Sequence, residues 1–379
     1  MNGGGGVELG DAGRRIWITA PKTGFTAMVT GPVRCRRDRD GWSVRSTSRG
    51  RTVSRSIRDD GVLTLSAFDA REEGLAFKGR RLAGTTHLVP AGDRDVHVVC
   101  HLPMEQYLPG VLGGELFESW RDATHQSLAV AARSYALCER FHWLGRRGYD
   151  VVADERSQVW IGSSAPARSR RAAASTRGEL LVWDDLVVPA YYCAACGGRP
   201  ARATLAISPN PVNAIPPLAI PEPDPRPACG CRSLGSHGSW RLSIPADDVV
   251  AAVRRWATSG GDRSFADARW PLRFDVISLQ ASGRPDRIRL ASPATRASAE
   301  LSAVDVQRVL NLTGRGRPVR SADVAFEVTA TDLRLTGAGF GHGVGLCQYG
   351  AESMARSGAD RRAILTRYYP SATIQQAWS

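Results

Sequence analysis

Lysine is almost missing from this chain: of 50 basic residues, only Lys22 and Lys78 are not arginine. No lysine follows its glycine-rich stretches and no Gly-x-Gly-x-x-Gly aligns, which excludes the usual phosphate and dinucleotide loops. No run approaches the roughly 18 apolar residues that a membrane-spanning helix needs. The start, Met1-Asn-Gly-Gly-Gly-Gly-Val-Glu, is neither basic nor followed by an apolar stretch, so no secretory leader is visible. Aromatics are only 7% of residues and no nucleic-acid motif accompanies them, so a nucleic-acid partner is not expected despite the net charge of +13. That charge fits a polyanionic partner or an arginine-rich genome equally well. With 42% hydrophobic and 23% charged residues the composition is that of a globular protein, and 379 residues suffice for two or more packed units.

The first part of the chain reads as short strands with apolar alternation: Ile16–Thr19, Thr26–Val29, Val62–Leu65, His87–Val89 and Val96–Cys100, broken by Gly and charged turns. Ser119-Trp-Arg-Asp122 fits a capped helix start, and Leu128, Ala131, Ala132, Tyr135, Cys138 and His142 follow at helical spacing up to Gly145. Leu180–Trp183 and Leu186–Tyr192 suggest a hairpin across Asp184-Asp185. Residues 208–227 hold 8 of the 22 prolines and cannot be the interior of a regular element. Asp247–Trp256, Ala303–Leu310 and Arg361–Tyr369 read as helices, Phe274–Leu279 and Arg287–Leu290 as strands, and no internal repeat is present. The fold class expected is mixed α+β: a β-rich N-terminal region over residues 1–90, then a mixed catalytic body over 91–379 with a long central helix.

One segment stands apart chemically. Tyr107-Leu-Pro-Gly-Val-Leu-Gly-Gly-Glu-Leu-Phe-Glu-Ser-Trp120 places the carboxylate of Glu115 after a Gly-Gly pair and among Val111, Leu112, Leu116, Phe117 and Trp120. Glycine permits close backbone approach, and apolar company lifts a carboxyl pKa toward neutrality. The plain alternative is a local cap or ion pair. Glu105 and Glu118 are further carboxylates nearby, the latter suited to a helix start.

This segment, with Ala129-Val-Ala-Ala-Arg-Ser-Tyr135, resembles the core of the stage II sporulation protein D family, also called amidase enhancers. Three further blocks resemble the family in order: Asp150 with Ser157-Gln-Val-Trp-Ile-Gly162, Thr176-Arg-Gly-Glu-Leu-Leu-Val-Trp183 with Ala190-Tyr-Tyr-Cys-Ala-Ala-Cys-Gly-Gly198, and Gly339-Phe-Gly-His-Gly-Val-Gly-Leu-Cys-Gln-Tyr-Gly-Ala351. The core motifs thus fall within 100–200 and the Gly-His segment at 336–352. The resemblance implies a peptidoglycan lytic transglycosylase, a lyase that cuts peptide-stripped glycan strands at the cell envelope in wall remodelling or sporulation, with Glu115 as its single acid/base. Arg133, Tyr135, Gln158, His342 and Gln348 then become the expected substrate-binding residues; each could instead hold the structure together. Leu128 departs from the family, which usually has Gln there. The alternative function is a non-catalytic wall-binding protein that stimulates a cell-wall amidase.

Of eight cysteines, Cys193-Ala-Ala-Cys196 and Cys229-Gly-Cys231 form two close pairs. Four thiolates suit tetrahedral zinc; two disulfides suit the same pairs if the protein is exported, and free thiols are a third reading. The resemblance leans toward metal, which makes zinc the one cofactor considered. His237 is a substitute ligand, and Cys35, Cys100, Cys138 and Cys347 read as buried small apolar residues. The alternating glycines around His342 suggest very close backbone approach.

Overall fold

The structure is a computed structural model describing residues 6–48, 51–69, 74–220, 228–234, 238–314, 316 and 318–379. It is a mixed α+β fold, 28% helical and 32% strand, with a β-rich N-terminal part. The division proposed at residue 90 follows the motifs. By packing, the chain groups into two units: Met1–Ser119 with Ala136–Arg177, and Trp120–Tyr135 with Gly178–Ser379.

The first unit holds strands β1 (Val7–Leu9), β2 (Arg15–Ala20), β3 (Phe25–Thr30), β4 (Val33–Asp38), β5 (Gly41–Ser48), β6 (Arg51–Ile57), β7 (Leu63–Ala67), β8 (Leu75–Phe77), β9 (Arg80–Leu82), β10 (Thr85–Pro90) and β11 (Val96–His101). They form a five-stranded sheet in the order β11-β10-β7-β2-β3, a four-stranded sheet β1-β4-β5-β6 and a small hairpin of β8 and β9. The alternation seen in the sequence is a one-sided burial: Ile16, Ile18, Leu63, Leu65 and Leu88 are buried, while Arg15 and Trp17 point outward. Each such buried aliphatic side chain contributes roughly 1.5–3 kcal/mol. The second sheet was not legible because its apolar face is sparse. Val33, Cys35 and Val44 are buried there, and Arg34, Arg36 and Arg45 alternate with them on the outside.

Helices α1 (Met104–Glu115), α2 (Asp122–Trp143) and α3 (Ala167–Ser175) follow. Helix α1 carries no helical signature in its sequence, since it contains Pro109, Gly110, Gly113 and Gly114. Packing overrides their poor propensity. A Cβ on Gly110 would sit 2.3 Å from Trp160 Nε1, and one on Gly114 would sit 2.6 Å from Val159 O. The Gly-Gly pair therefore lies inside a helix, close to the chain's own 159–166 segment, and Glu115 is that helix's last residue. The expected Ser119 start of α2 is also corrected. The helix begins at Asp122 and its first turn is met from afar: Glu352 Oε2 accepts from Arg121 N at 2.9 Å and from Thr124 Oγ1 at 2.8 Å.

The second unit contains β12 (Glu179–Trp183), β13 (Leu186–Val187), β14 (Tyr192–Cys193), α4 (Ala203–Ala206), β15 (Trp240–Pro245), α5 (Ala246–Thr258), β16 (Arg273–Leu279), β17 (Pro285–Ser292), β18 (Ala297–Ser302), α6 (Ala303–Asn311), β19 (Val324–Val328), β20 (Asp332–Gly337), β21 (Leu346–Cys347), α7 (Gln348–Arg356), α8 (Arg361–Tyr368) and β22 (Thr373–Gln376). The hairpin at Asp184-Asp185 is present, both residues with positive φ, but its second strand is only Leu186–Val187. Elements β15 to β20 share a core drawn from Trp240 to Leu335, including Val249, Val253, Phe265, Ile288, Leu290, Leu310 and Leu333. Short β14 and β21 pair in parallel, Tyr192 with Leu346 and Cys193 with Cys347. Part of the proline-rich stretch, residues 221–227, lies outside the described residues; the rest makes two 3₁₀ turns, Pro211–Asn213 and Pro216–Leu218.

Candidate functional site

In the first unit the end of α1 and residues 158–162 are held edge to edge by hydrogen bonds. Trp160 Nε1 donates to Tyr107 O at 3.2 Å, Ile161 N donates to Gly110 O at 3.2 Å, and Tyr107 Oη donates to Gln158 Oε1 at 2.8 Å. The last contact of this zipper is the half-buried Glu115, whose Oε1 accepts from Val159 N at 2.7 Å. An amide donated to a carboxylate is a charge-assisted bond and fixes the group's direction. Leu116 is extended (φ −124, ψ 151) and turns inward, so that Phe117 faces out at 58% exposure two residues beyond the acid. Arg168 donates to Glu118 O, fixing this loop to α3. Such an acid, rigidly held yet partly open to solvent, can give and take a proton.

The expected substrate-binding residues fare differently. Gln158 is fully buried and serves Tyr107. Arg133 is also fully buried, donating to Glu179 O at 3.1 Å within the second unit. Tyr135 and Gln348 are buried as well. Tyr135 packs edge-on against Tyr191, centroids 5.8 Å apart. These four side chains hold elements together rather than present a surface. Leu128, at the usual Gln position, is completely buried, so that departure is a core substitution.

His342 is half-buried in the second unit, with both ring nitrogens engaged. Val344 N donates to Nδ1 at 3.0 Å, which leaves the proton on Nε2 to be donated to Tyr192 O at 2.9 Å. Burial pushes its pKa down to about 4, with Arg284 nearby acting in the same direction. It is a neutral imidazole that ties the glycine segment to β14. The close approach read from the glycines is real, and its partner is the chain itself. Gly343 (φ +80) lies against the buried Arg284 guanidinium, and Gly345 (φ +65) against Tyr191 O, 2.0 Å from where a Cβ would stand.

The sulfur cluster differs from the expected set by one member. Cys196, Cys229, Cys231 and Cys347 bring their Sγ atoms within 4.8 Å of one another; Cys193 lies outside the group, its thiol pushed up to about 12 by burial. The parallel pairing of β14 with β21 delivers Cys347, which by its sequence alone reads as a buried small apolar residue. All eight cysteines are free, and Cys196 and Cys231 stand 3.8 Å apart, far beyond a disulfide bond. A tetrahedron of metal–sulfur bonds of about 2.3 Å has edges of about 3.8 Å, which the Cys196–Cys231 pair matches, so the group could hold a metal ion. The surroundings suit thiolates: Cys196 N and Gly350 N each lie 3.3 Å from Cys347 Sγ, and Tyr368 Oη lies 3.2 Å from Cys229 Sγ. Burial holds Tyr368 protonated, which makes it the donor. Hydrogen bonding from Cys196, and then from Cys231, holds the Cys229 thiol far below its ordinary pKa. His237 lies outside the described residues.

The family description "Stage II sporulation protein" matches residues 92–183, which include α1, Glu115 and the 158–162 segment. An uncharacterized protein of Brachyspira hyodysenteriae is 23% identical over 368 residues, 95% of this chain and 92% of that one. The amidase enhancer of Bacillus subtilis is 22% identical over 293 residues, 70% of this chain; the chain spans only 40% of that protein's length. Stage II sporulation protein D of Bacillus amyloliquefaciens is 23% identical over 310 residues, covering 76% and 79% of the two chains. The resemblance read from the motifs is thereby shown, at low identity.

Proposed function

We propose that this chain, with the stage II sporulation protein core at residues 92–183, is a lytic transglycosylase acting on peptide-stripped glycan strands of the cell envelope. The observation that carries the reading is the half-buried Glu115 at the end of α1, its Oε1 held by Val159 N at 2.7 Å. In this reading the Glu115 carboxyl, oriented by that amide, carries the transferable proton. That proton passes to the glycosidic oxygen as the bond to C1 breaks, leaving an oxocarbenium-like sugar. The resulting carboxylate accepts the proton of the same sugar's 6-hydroxyl while O6 closes on C1. The 1,6-anhydro end forms without water, and Glu115 returns to its protonated state. Arg133, Tyr135, Gln158, His342 and Gln348 act in this reading as positioning residues, since their side chains are buried or already engaged.

Zinc, where bound, would be held by Cys196, Cys229, Cys231 and Cys347 and would supply structural cross-linking, since four thiolates close the coordination shell. No helix among the described residues is long and apolar enough to cross a membrane. Action in the envelope rests on the family match.

A second reading, a wall-binding protein that stimulates a cell-wall amidase, is favoured by the name of the Bacillus subtilis relative and by the burial of four of the five expected substrate-binding side chains. Mass spectrometry of products from peptide-stripped glycan decides between them. Anhydro-ended fragments from the native protein, absent with Glu115→Gln, support the transglycosylase. Reducing-end fragments mean a hydrolase. Binding without any cleavage supports the enhancer.

A further inference from the structure

The four cluster sulfurs do not share one environment. Cys231 and Cys347 are completely shielded from solvent, while Cys196 is 3% and Cys229 7% exposed. The difference has a cause on each side. Behind the cluster, helix α7 lies hard against the sulfurs. Cys347 opens that helix, its Sγ accepting from Gly350 N at 3.3 Å. A Cβ on Gly350 would stand 2.3 Å from Cys229 Sγ and 2.1 Å from Tyr368 Oη, so nothing can approach from there. In front of the cluster lies a cavity of about 60 Å³ whose described lining includes Cys196 and Cys229 but neither Cys231 nor Cys347.

The cavity has a definite chemistry. Leu218 and Ile220, both buried, line it with apolar surface, and Ala219 between them is exposed and marks its rim. Arg367, half-buried, is the one charged residue in the described lining. Its guanidinium lies 5.7 Å from the ring centroid of Tyr368, whose Oη stands 3.2 Å from Cys229 Sγ. A cation, a hydroxyl and two sulfurs thus border one small space, with no carboxylate among the described lining residues. A water molecule takes up about 30 Å³ in the liquid, so the cavity admits the end of one small donor group and excludes a folded partner. The positive charge of Arg367 repels a bare metal cation and attracts a negatively charged molecule that carries one.

We propose that this cavity is the exchange port of the sulfur cluster, through which a small anionic chelating molecule, a carboxylate or a thiolate, delivers and removes the metal ion. Cys229 and Cys196 are the ligands it meets, while Cys231 and Cys347 hold the ion from the sealed side. On removal, each metal–sulfur bond that breaks is replaced by a bond from the ion to the carrier's oxygen or sulfur; loading is the reverse, and no electron changes hands. The site would be structural in what it holds together and still open to exchange on one flank. This inference does not depend on the transglycosylase reading.

The test is alkylation of the protein as purified with a limiting amount of iodoacetamide, each modified cysteine being located by fragment mass spectrometry. Release of zinc into excess citrate is followed in parallel. Cys229 and Cys196 should be modified before Cys231 and Cys347. Ala219→Trp, a change at the exposed rim, should slow both Cys229 modification and zinc release about ten-fold. Leu186→Trp, at an exposed position on the β12–β13 hairpin, should alter neither. Arg367→Gln should slow anionic iodoacetate roughly three-fold at low salt and leave uncharged iodoacetamide at its native rate. Modification of Cys231 or Cys347 first, or equal rates at all four, overturns the inference, since the cluster would then open by unfolding or from another side. A native rate of modification and release in folded Ala219→Trp protein does the same. So does protein that holds no metal ion by elemental analysis, whatever its labelling order.

Discussion

The amide of Val159 reaches Glu115 Oε1 at 2.7 Å because Gly114 lets residue 159 lie against helix α1. Alanine at position 114 would place a Cβ 2.6 Å from Val159 O and drive the two apart. Alanine is the better helix former by about 1 kcal/mol, so helix loss is not the mechanism. We expect Gly114→Ala to keep its circular dichroism spectrum and lose on the order of 100-fold in cleavage rate, the usual scale for a misplaced catalytic group. An unchanged rate would show that the amide contact is dispensable.

The sulfur group makes a prediction about which cysteine matters. Protein purified without chelator should contain about one zinc per chain, measured by elemental analysis. Cys347→Ser should lose that metal and melt earlier, while Cys193→Ser should retain it. The reverse pattern would restore the ligand set read from the sequence spacing.

His342 should give the protein an acid-sensitive stability. Its folded pKa is lowered to about 4 from 6.5, so between those values the unfolded chain carries a proton that the folded one refuses. Stability therefore falls as pH drops from about 6.5 to about 4, and this contribution is flat outside that window. Glutamine can accept from Val344 N and donate to Tyr192 O in the same place. The melting midpoint of His342→Gln should accordingly fall less steeply than that of the native protein across this range; parallel curves would remove His342 from the account.

Arg133 offers a clean separation of structural from substrate roles. Replacing it with methionine leaves Glu179 O without its donor and should cost about 3 kcal/mol of stability, read in urea unfolding. KM for glycan should stay within two-fold or so of native. A raised KM with native stability would return Arg133 to the substrate.

What the sequence made legible was governed by one-sided burial. Strands β2, β3, β7, β10 and β11 were found because Ile16, Ile18, Leu63, Leu65 and Leu88 alternate with polar residues. The helices α2, α5, α6 and α8 were found by their 3.6-residue spacing, with ends within a few residues. Helix α1 was hidden because its glycines are chosen for a close neighbour, not for helix propensity, and no local pattern announces a neighbour some 50 residues away. Glu115 stands out by its motif, yet the donor to its Oε1 is a main-chain amide, which any residue but proline at 159 would supply. Cys347 was missed for a similar reason: the two-residue strands β14 and β21 have too little length to show a period, and their pairing alone brings Cys347 to the cluster.

Cys196 and Cys347 are 151 residues apart in the chain, so assembling their cluster from a disordered polypeptide would require closing a very long loop. The body between them shortens that search. Trp240 pairs with Gly337 where β15 meets β20, and the core between these strands is drawn from the intervening residues alone. Once that body has folded, its two ends emerge side by side, leaving spans of 10 residues from Gly337 to Cys347 and 44 from Cys196 to Trp240 in place of the full 151. Closure entropy then grows only with those connections. An intervening body that forms on its own contacts would therefore lower the cost of closing the sulfur cluster. A lesion in the Val249–Val253–Phe265 core would thus be felt as slow, incomplete maturation of the cluster, far from the residue that was changed.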